Sequence, residues 1–259
     1  MKCVTYNIFG GMKGNAIMAN MKHHYYLYAR RAKDVIKEKT KDLSKVNEMI
    51  KESNADLICI NEVIYELQKE KLTNFLKSIG YKAFSIGKSS DREDGLDLCT
   101  VLASKYEGNE IIVDITKGKS IINEGSFCVI DIEKENLIVI GIHLALSKKI
   151  RLKQLTEISD FITQHKNSGR NIVLMGDFNE PIKKLNKHKK FKELGMQTRI
   201  TPTFPSIKLL KWFKRDYDHI FHTLSNTDIE TSVKEGDSDH FMLRFDFFPK
   251  PKESFEINN

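Results

Sequence analysis

Ten short apolar runs, each four to seven residues long, constrain what this chain can fold into more than any other feature. They lie at Lys2–Ile8, Leu57–Asn61, Tyr81–Ser85, Leu98–Ser104, Glu110–Asp114, Phe127–Ile132, Leu137–His143, Ile172–Met175, Asp218–Phe221 and Met242–Phe248. Runs this short, rich in Ile, Val and Phe, read as buried strands. Ten of them crowd one open sheet, which favours two packed sheets. Helical spacing appears between some of them: Val35, Leu43, Val46, Met49 and Ile50 within Arg30–Glu52; Leu72, Phe75, Leu76 and Ile79; and Leu152, Leu155, Ile158, Phe161 and Ile162. Phe127–Ile132 and Leu137–His143, divided only by Glu133–Asn136, read as a hairpin. Hairpins mixed with strand–helix–strand units predict an α/β protein with mixed sheets and helices outside. No repeat, low-complexity linker or Pro/Gly-rich boundary divides the chain, so one domain over 1–249 with a tail at 250–259 is expected. Gly10–Tyr28 fits no element and reads as a loop over the site.

Several runs end on a polar residue, and the ends of strands are where an α/β scaffold presents side chains to a shared cleft. Asn7 closes TYNI, Glu62 follows ICIN, His143 closes GIH, Asp177 and Asn179 stand in GDFN, Asp218 opens DHIF, and Asp239 and His240 precede the last run. Such a set suits metal-assisted hydrolysis of a phosphodiester. A hard cation takes one or two protein carboxylates and keeps several waters. Glu62 and Asp239 suit that task, with Asn7 as a neutral oxygen donor. Asp177 suits the orientation or deprotonation of water. Asn179, two residues on in an extended segment, points to the same side and suits donation to phosphate. His143 and His240 suit binding or protonating phosphate oxygens, with Asp218 raising the pKa of a histidine beside it. Each residue alone has an ordinary alternative. Glu62 reads equally as a solvated cap, His143 as a core histidine and GDFN as a turn, while Asp216 competes with Asp218. Only the ordered set is informative.

Net charge is +7 with pI about 9.0, which favours a polyanionic partner. Lys183, Lys184, Lys187, Lys189, Lys190 and Lys192 crowd one stretch; Lys208, Lys211, Lys214 and Arg215 surround Trp212 and Phe213 in another. Cys3, Cys59, Cys99 and Cys128 lie in separate apolar runs without a CxxC and read as buried free thiols. No apolar run reaches a membrane span of about 18 residues. A strand at Lys2–Ile8 leaves no room for a signal peptide, so a cytoplasmic protein without membrane insertion is expected.

The ordered set resembles the endonuclease/exonuclease/phosphatase superfamily, which includes DNase I and exonuclease III-like nucleases. The resemblance runs from TYNI through ICINEV, GIHL, GDFN and DYDHIF to SDH; Arg151, Gln154–Leu155 and TFPS at Thr203–Ser206 add to it. It implies a four-layer α/β sandwich, two mixed β-sheets face to face with helices outside and the site at one rim. It implies Glu62 and Asp239 as metal ligands with Asn7 nearby, Asp177 activating water, Asn179 contacting phosphate and Asp218 paired with His240. His143 matches members with histidine there, for which Asp97 is a candidate partner. The chain departs from subgroup patterns, with GDFN where tyrosyl-DNA phosphodiesterases have GDTN. The leading expectation is a monomeric Mg²⁺-dependent nuclease (Mn²⁺ substituting) acting on nucleic acid, foremost DNA. The alternatives are a phosphodiesterase or phosphatase for a lipid headgroup or small phosphoester, and a nucleic-acid binder on an inactive scaffold.

Overall fold

The computed structural model describes residues 1–11, 42–89, 97–113, 125–204 and 214–249. The expected loop beyond Gly11, the first part of the Arg30–Glu52 helix, Lys208, Lys211, Trp212, Phe213 and the tail 250–259 lie outside those residues.

Among the described residues eleven strands form two sheets. The first has the order β10 (Thr227–Lys234), β11 (Met242–Pro249), β1 (Lys2–Asn7), β2 (Leu57–Ile64), β4 (Leu98–Ser104), β3 (Ala83–Lys88). The second runs β5 (Asn109–Ile111), β6 (Ser126–Ile132), β7 (Leu137–His143), β8 (Asn171–Asp177), β9 (Asp218–His222). Each sheet is mixed. β1 and β2 are parallel, as are β7 and β8, and the other neighbours are antiparallel.

Alternation along each strand sorts its side chains into separate cores. Leu57 and Cys59 of β2 join Cys128, Val139 and Met175 between the sheets. Ile58 and Ile60 turn the other way, onto Met49 and Ile50 of α1 (Ser44–Ser53) and Leu72 and Leu76 of α2 (Tyr65–Ser78). On the far side Ile138 and Ile140 pack against Leu155, Ile158 and Ile162 of α3 (Lys148–Asn167). The result is the expected four-layer α/β sandwich, with helices outside two face-to-face sheets. The hairpin between β6 and β7 is present, its turn closed by Asn136 at φ 49°. All four cysteines are buried free thiols. Among the described residues no helix is long and apolar enough to cross a membrane.

Two features fall outside the sequence expectation. β10 occupies TDIETSVK, and two short helices, α4 (Ile182–Leu185) and α5 (Lys189–Glu193), follow β8.

Candidate active site

Topology brings the polar residues to one rim. Asn7 and Asn61 are paired neighbours near the ends of parallel β1 and β2, and His143 and Asp177 are paired at the ends of parallel β7 and β8. Antiparallel β9 begins at the same level, placing Asp218 opposite Asp177. Asp239 and His240 arrive in the turn before β11. Thus two parallel pairs ending at one edge, and two antiparallel strands starting there, gather residues from 7 to 240.

Glu62 needs a local device. Regular alternation would send it to the helix side with Ile58 and Ile60. A register shift between Ile60 and Val63, with Glu62 at φ 58°, breaks that alternation. Its carboxylate Oε1 instead accepts a hydrogen bond from Asn7 Nδ2 at 3.0 Å. Asn7 Nδ2 also donates to Asp177 Oδ2 at 3.0 Å, so one amide spans two carboxylates. Its oxygen accepts from the Phe9 N–H at 3.0 Å. One lone pair of that oxygen is thus engaged with backbone, while the amide nitrogen braces Glu62 and Asp177.

Asp177 is nearly fully buried, with His143 Nε2 at 3.9 Å and His240 Nε2 at 3.8 Å from Oδ2. Its Oδ1 accepts from the Asn179 N–H at 2.7 Å. Asn179 reaches the site through this tight turn at φ 48°, rather than through strand alternation. One of its amide hydrogens goes to Leu144 O at 2.8 Å, leaving the other free of protein partners among the described residues. The charged neighbours of His143 are Glu62, also at 3.9 Å, and Asp177. Asp97, the expected partner, forms an ion pair with Lys88 at 2.6 Å.

His240 Nδ1 and Asp218 Oδ2 lie 2.7 Å apart. Burial alone would lower the His240 pKa, but the charge and hydrogen bond of Asp218, joined by Asp239 and Asp177, raise it well above the usual imidazole value. Asp216 has another role, accepting from the Ile182 N–H at 3.0 Å. In the SDH turn, Ser238 Oγ donates to Asn7 O at 2.6 Å and accepts from His240 N–H at 3.1 Å. That turn lets adjacent Asp239 and His240 serve one cleft.

Burial pushes the Glu62 carboxyl up, with Asp239 adding to it and His143 opposing. Burial likewise raises Asp239, with Asp177 adding and His240 opposing. Buried carboxylates that disfavour one another's charge are a donor set suited to a hard divalent cation. Donor atoms of Asp177, Asp218 and His240 also lie within 4.8 Å of one another. There the His240 ring already meets Asp218 through Nδ1.

The sequence reading passed over Asn61. It is fully buried, donates to Thr100 Oγ1 and Ile142 O at 2.8 Å each, and accepts from Asp177 N–H at 3.2 Å. Thr100 Oγ1 and Ser126 Oγ lie 2.5 Å apart. This polar chain joins the two sheets directly beneath Asp177. An amide inside the apolar run ICINEV was the available signal. Phe204 stacks on Tyr217, ring centroids 5.4 Å apart, and lies 4.8 Å from the His240 ring.

Residues 4–240 match the Endonuclease/Exonuclease/phosphatase family. No curated protein matches the sequence. Solved structures with a similar fold include a Bacteroides thetaiotaomicron mannosyl-6-phosphatase at 14% identity and TM-score 0.60, covering 96% of this chain and 99% of that one. ANGEL2, a 2',3'-cyclic phosphatase solved with adenosine-2',3'-vanadate, is similar at 15% identity and TM-score 0.63, with 95% and 94% covered. Truncated Caenorhabditis elegans TDP2 is similar at 14% and 0.59, with 95% and 97% covered.

Proposed function

The chain belongs to the endonuclease/exonuclease/phosphatase family, a family of phosphoester hydrolases, and on that footing we propose that it is a Mg²⁺-dependent nuclease acting on DNA. The observation that carries the catalytic part is the convergence of Glu62, Asp177, His143 and His240 about the single amide of Asn7.

Glu62 and Asp239 hold the cation in this reading. When bound, it neutralises charge growing on the phosphate oxygens. The remaining work falls to the protein. Asp177, its Oδ1 pinned by Asn179 N–H, uses Oδ2 to orient a water and take its proton. His240, kept protonated by Asp218, presents Nε2 to a phosphate oxygen. His143 and the free amide hydrogen of Asn179 supply further donors. Asn7 fixes the separation of Glu62 and Asp177 and contributes no proton.

The basic surface and the Phe204–Tyr217 stack beside His240 support a nucleic-acid substrate. The second reading, a small phosphoester, is supported by folds shared with a mannosyl-6-phosphatase and a 2',3'-cyclic phosphatase. One experiment decides between them. The purified protein is incubated with supercoiled DNA, abasic duplex, RNA or bis-p-nitrophenyl phosphate, each with Mg²⁺, Mn²⁺ or EDTA. Nicking or cleavage of DNA that EDTA stops is expected. Turnover of the small ester with every nucleic acid left intact would establish the second reading.

A further inference from the structure

Beside the site, α3 and the α4–α5 segment form a joined cationic flank. Buried Arg151 of α3 binds Glu180 through Nε at 2.7 Å and through Nη2, while Nη1 donates to Ala145 O and Leu146 O at 2.7 and 2.9 Å. Glu180 follows Asn179, and Ala145 lies two residues past His143. This one guanidinium therefore ties the start of α3, the start of α4 and the active-site rim into one unit.

Helical spacing fixes the direction of the lysines. Residues 149, 153, 156 and 160 share one face of α3. Two of them touch the neighbouring segment: Thr156 Oγ1 lies 3.3 Å from His188 Nε2, and Asp160 pairs with Lys190 at 2.9 Å. Lys149 and Lys153 continue that face toward the end of α3 that adjoins the site. Lys183 and Lys187 are exposed on α4 and the turn after it, and Lys187 adjoins the His188 that Thr156 touches. Lys184, by contrast, reaches back to Glu180 at 3.3 Å. Among the described residues Lys149, Lys153, Lys183 and Lys187 have no carboxylate partner. Four exposed ammonium groups on two joined segments offer a polyanion charge that no protein carboxylate answers.

We infer that Lys149 and Lys153 of α3, with Lys183 and Lys187 beside α4, form a phosphate track that holds a polynucleotide several nucleotides beyond the scissile phosphate. This rests on the nuclease reading and adds to it: the substrate is a strand that runs from the Phe204–Tyr217 stack, past His240 and Asp177, onto the lysine rows. A mononucleotide or sugar phosphate fills the site and leaves the track empty. An anionic bilayer is the competing partner for lysines near exposed Leu146 and Leu152. The aromatic stack beside His240 favours the nucleic acid, because two surfaces of different chemistry match a strand of bases and phosphates.

The test compares wild type with the Lys149→Ala/Lys153→Ala/Lys183→Ala/Lys187→Ala variant, both checked for equal thermal unfolding. Hydrolysis is measured on thymidine 5'-p-nitrophenyl phosphate and on 3-, 8- and 20-nucleotide DNA strands. Anisotropy of the labelled 20-nucleotide strand and of a 20-base-pair duplex is followed from 50 to 200 mM NaCl in EDTA. Wild-type kcat/KM should rise at least tenfold from the 3- to the 20-nucleotide strand, and the variant should lose that rise while keeping its rate on the nitrophenyl ester. The slope of log K against log salt on the duplex should become less negative by about 2–4 in the variant, at roughly 0.9 per lysine removed from a phosphate. Equal kcat/KM at all lengths, or an unchanged slope, overturns the track but leaves the hydrolytic site intact if the nitrophenyl ester is still cut. Loss of binding to vesicles of 30% phosphatidylserine in the variant, with no change on DNA, overturns it in favour of a membrane surface. Should neither protein hydrolyse any ester, the nuclease reading fails, and the anisotropy slopes alone uphold or overturn the track.

Discussion

At the scale of single residues, the carboxylates of the rim differ in how they are held. Asp177 is held by two N–H donors and faces two imidazoles, whereas Asp218 is spent on His240. Asp177→Asn should therefore lower kcat by about 10²–10⁴-fold, the range for losing a general base, with thermal unfolding unchanged; retention of rate would remove Asp177 from the chemistry. Asp218 and His240 act as one unit, so the Asp218→Asn/His240→Asn double variant should be little worse than either single one. Fully additive losses in kcat/KM would show that they act separately. Asn61 touches no reacting atom in this arrangement. Asn61→Ala strands the Ile142 carbonyl and the Asp177 N–H, and should cost about 2 kcal/mol in chemical denaturation. These three residues differ in how far the sequence exposed them. Asp177 and His240 flank apolar runs in short, turn-prone strings and could be read directly. Asn61 closes a run just before Glu62, its partners belong to strands about 40 to 120 residues away in the chain, and no local pattern reports such partners.

At the scale of elements, what was legible follows burial. Strands buried along their whole length, such as β4 and β7, stand out as continuous apolar runs. β10 alternates between exposed and half-buried positions and pairs on one side only, so TDIETSVK carries no apolar signal. α4 and α5 are single turns held by Ile182, Leu185 and Phe191, too short for a periodic pattern. The bulge at Glu62 was illegible for another reason: positive φ usually announces itself with Gly or Asn, and here a glutamate adopts it. At Gly176 the need is visible in the residue itself. Its φ is 144°, and a Cβ would fall 1.8 Å from Ile142 O, across the β7–β8 ladder that aligns His143 with Asp177. Gly176→Ala should cost about 4 kcal/mol or prevent folding. A variant as stable as wild type by thermal unfolding would mean that the ladder yields there.

At the scale of the whole molecule, the rim couples ligand to stability and the core couples pH to stability. If Glu62 and Asp239 hold the cation, millimolar Mg²⁺ should raise the Tm of wild type and leave that of Glu62→Gln/Asp239→Asn unmoved; an equal rise in both would place the ion elsewhere. At the other end of β9, His222 is fully buried against Phe247, and burial pushes its pKa down to about 4. In the unfolded chain the same imidazole takes a proton near pH 6.5. The contribution of His222 to stability is therefore full above about pH 6.5 and declines as pH falls toward 4, because the unfolded state binds the proton that the folded state refuses. Burial lowers His219 in the same direction. Thermal unfolding between pH 7 and 4.5 should show the decline, and His222→Phe should flatten part of it; identical slopes would exclude His222 as a source.

The position of β1 carries a consequence for how the molecule comes into being. Its two neighbours are β2 and β11, with Lys2 paired to Asp246 at the far end of the chain, and Ser238 clasps the Asn7 carbonyl. Of the described strands β1 is made first, and the strand that covers its second edge follows more than 230 residues later. Asp239 and His240 come just before that strand. If they serve the cleft as proposed, the step that covers the exposed edge also completes the site.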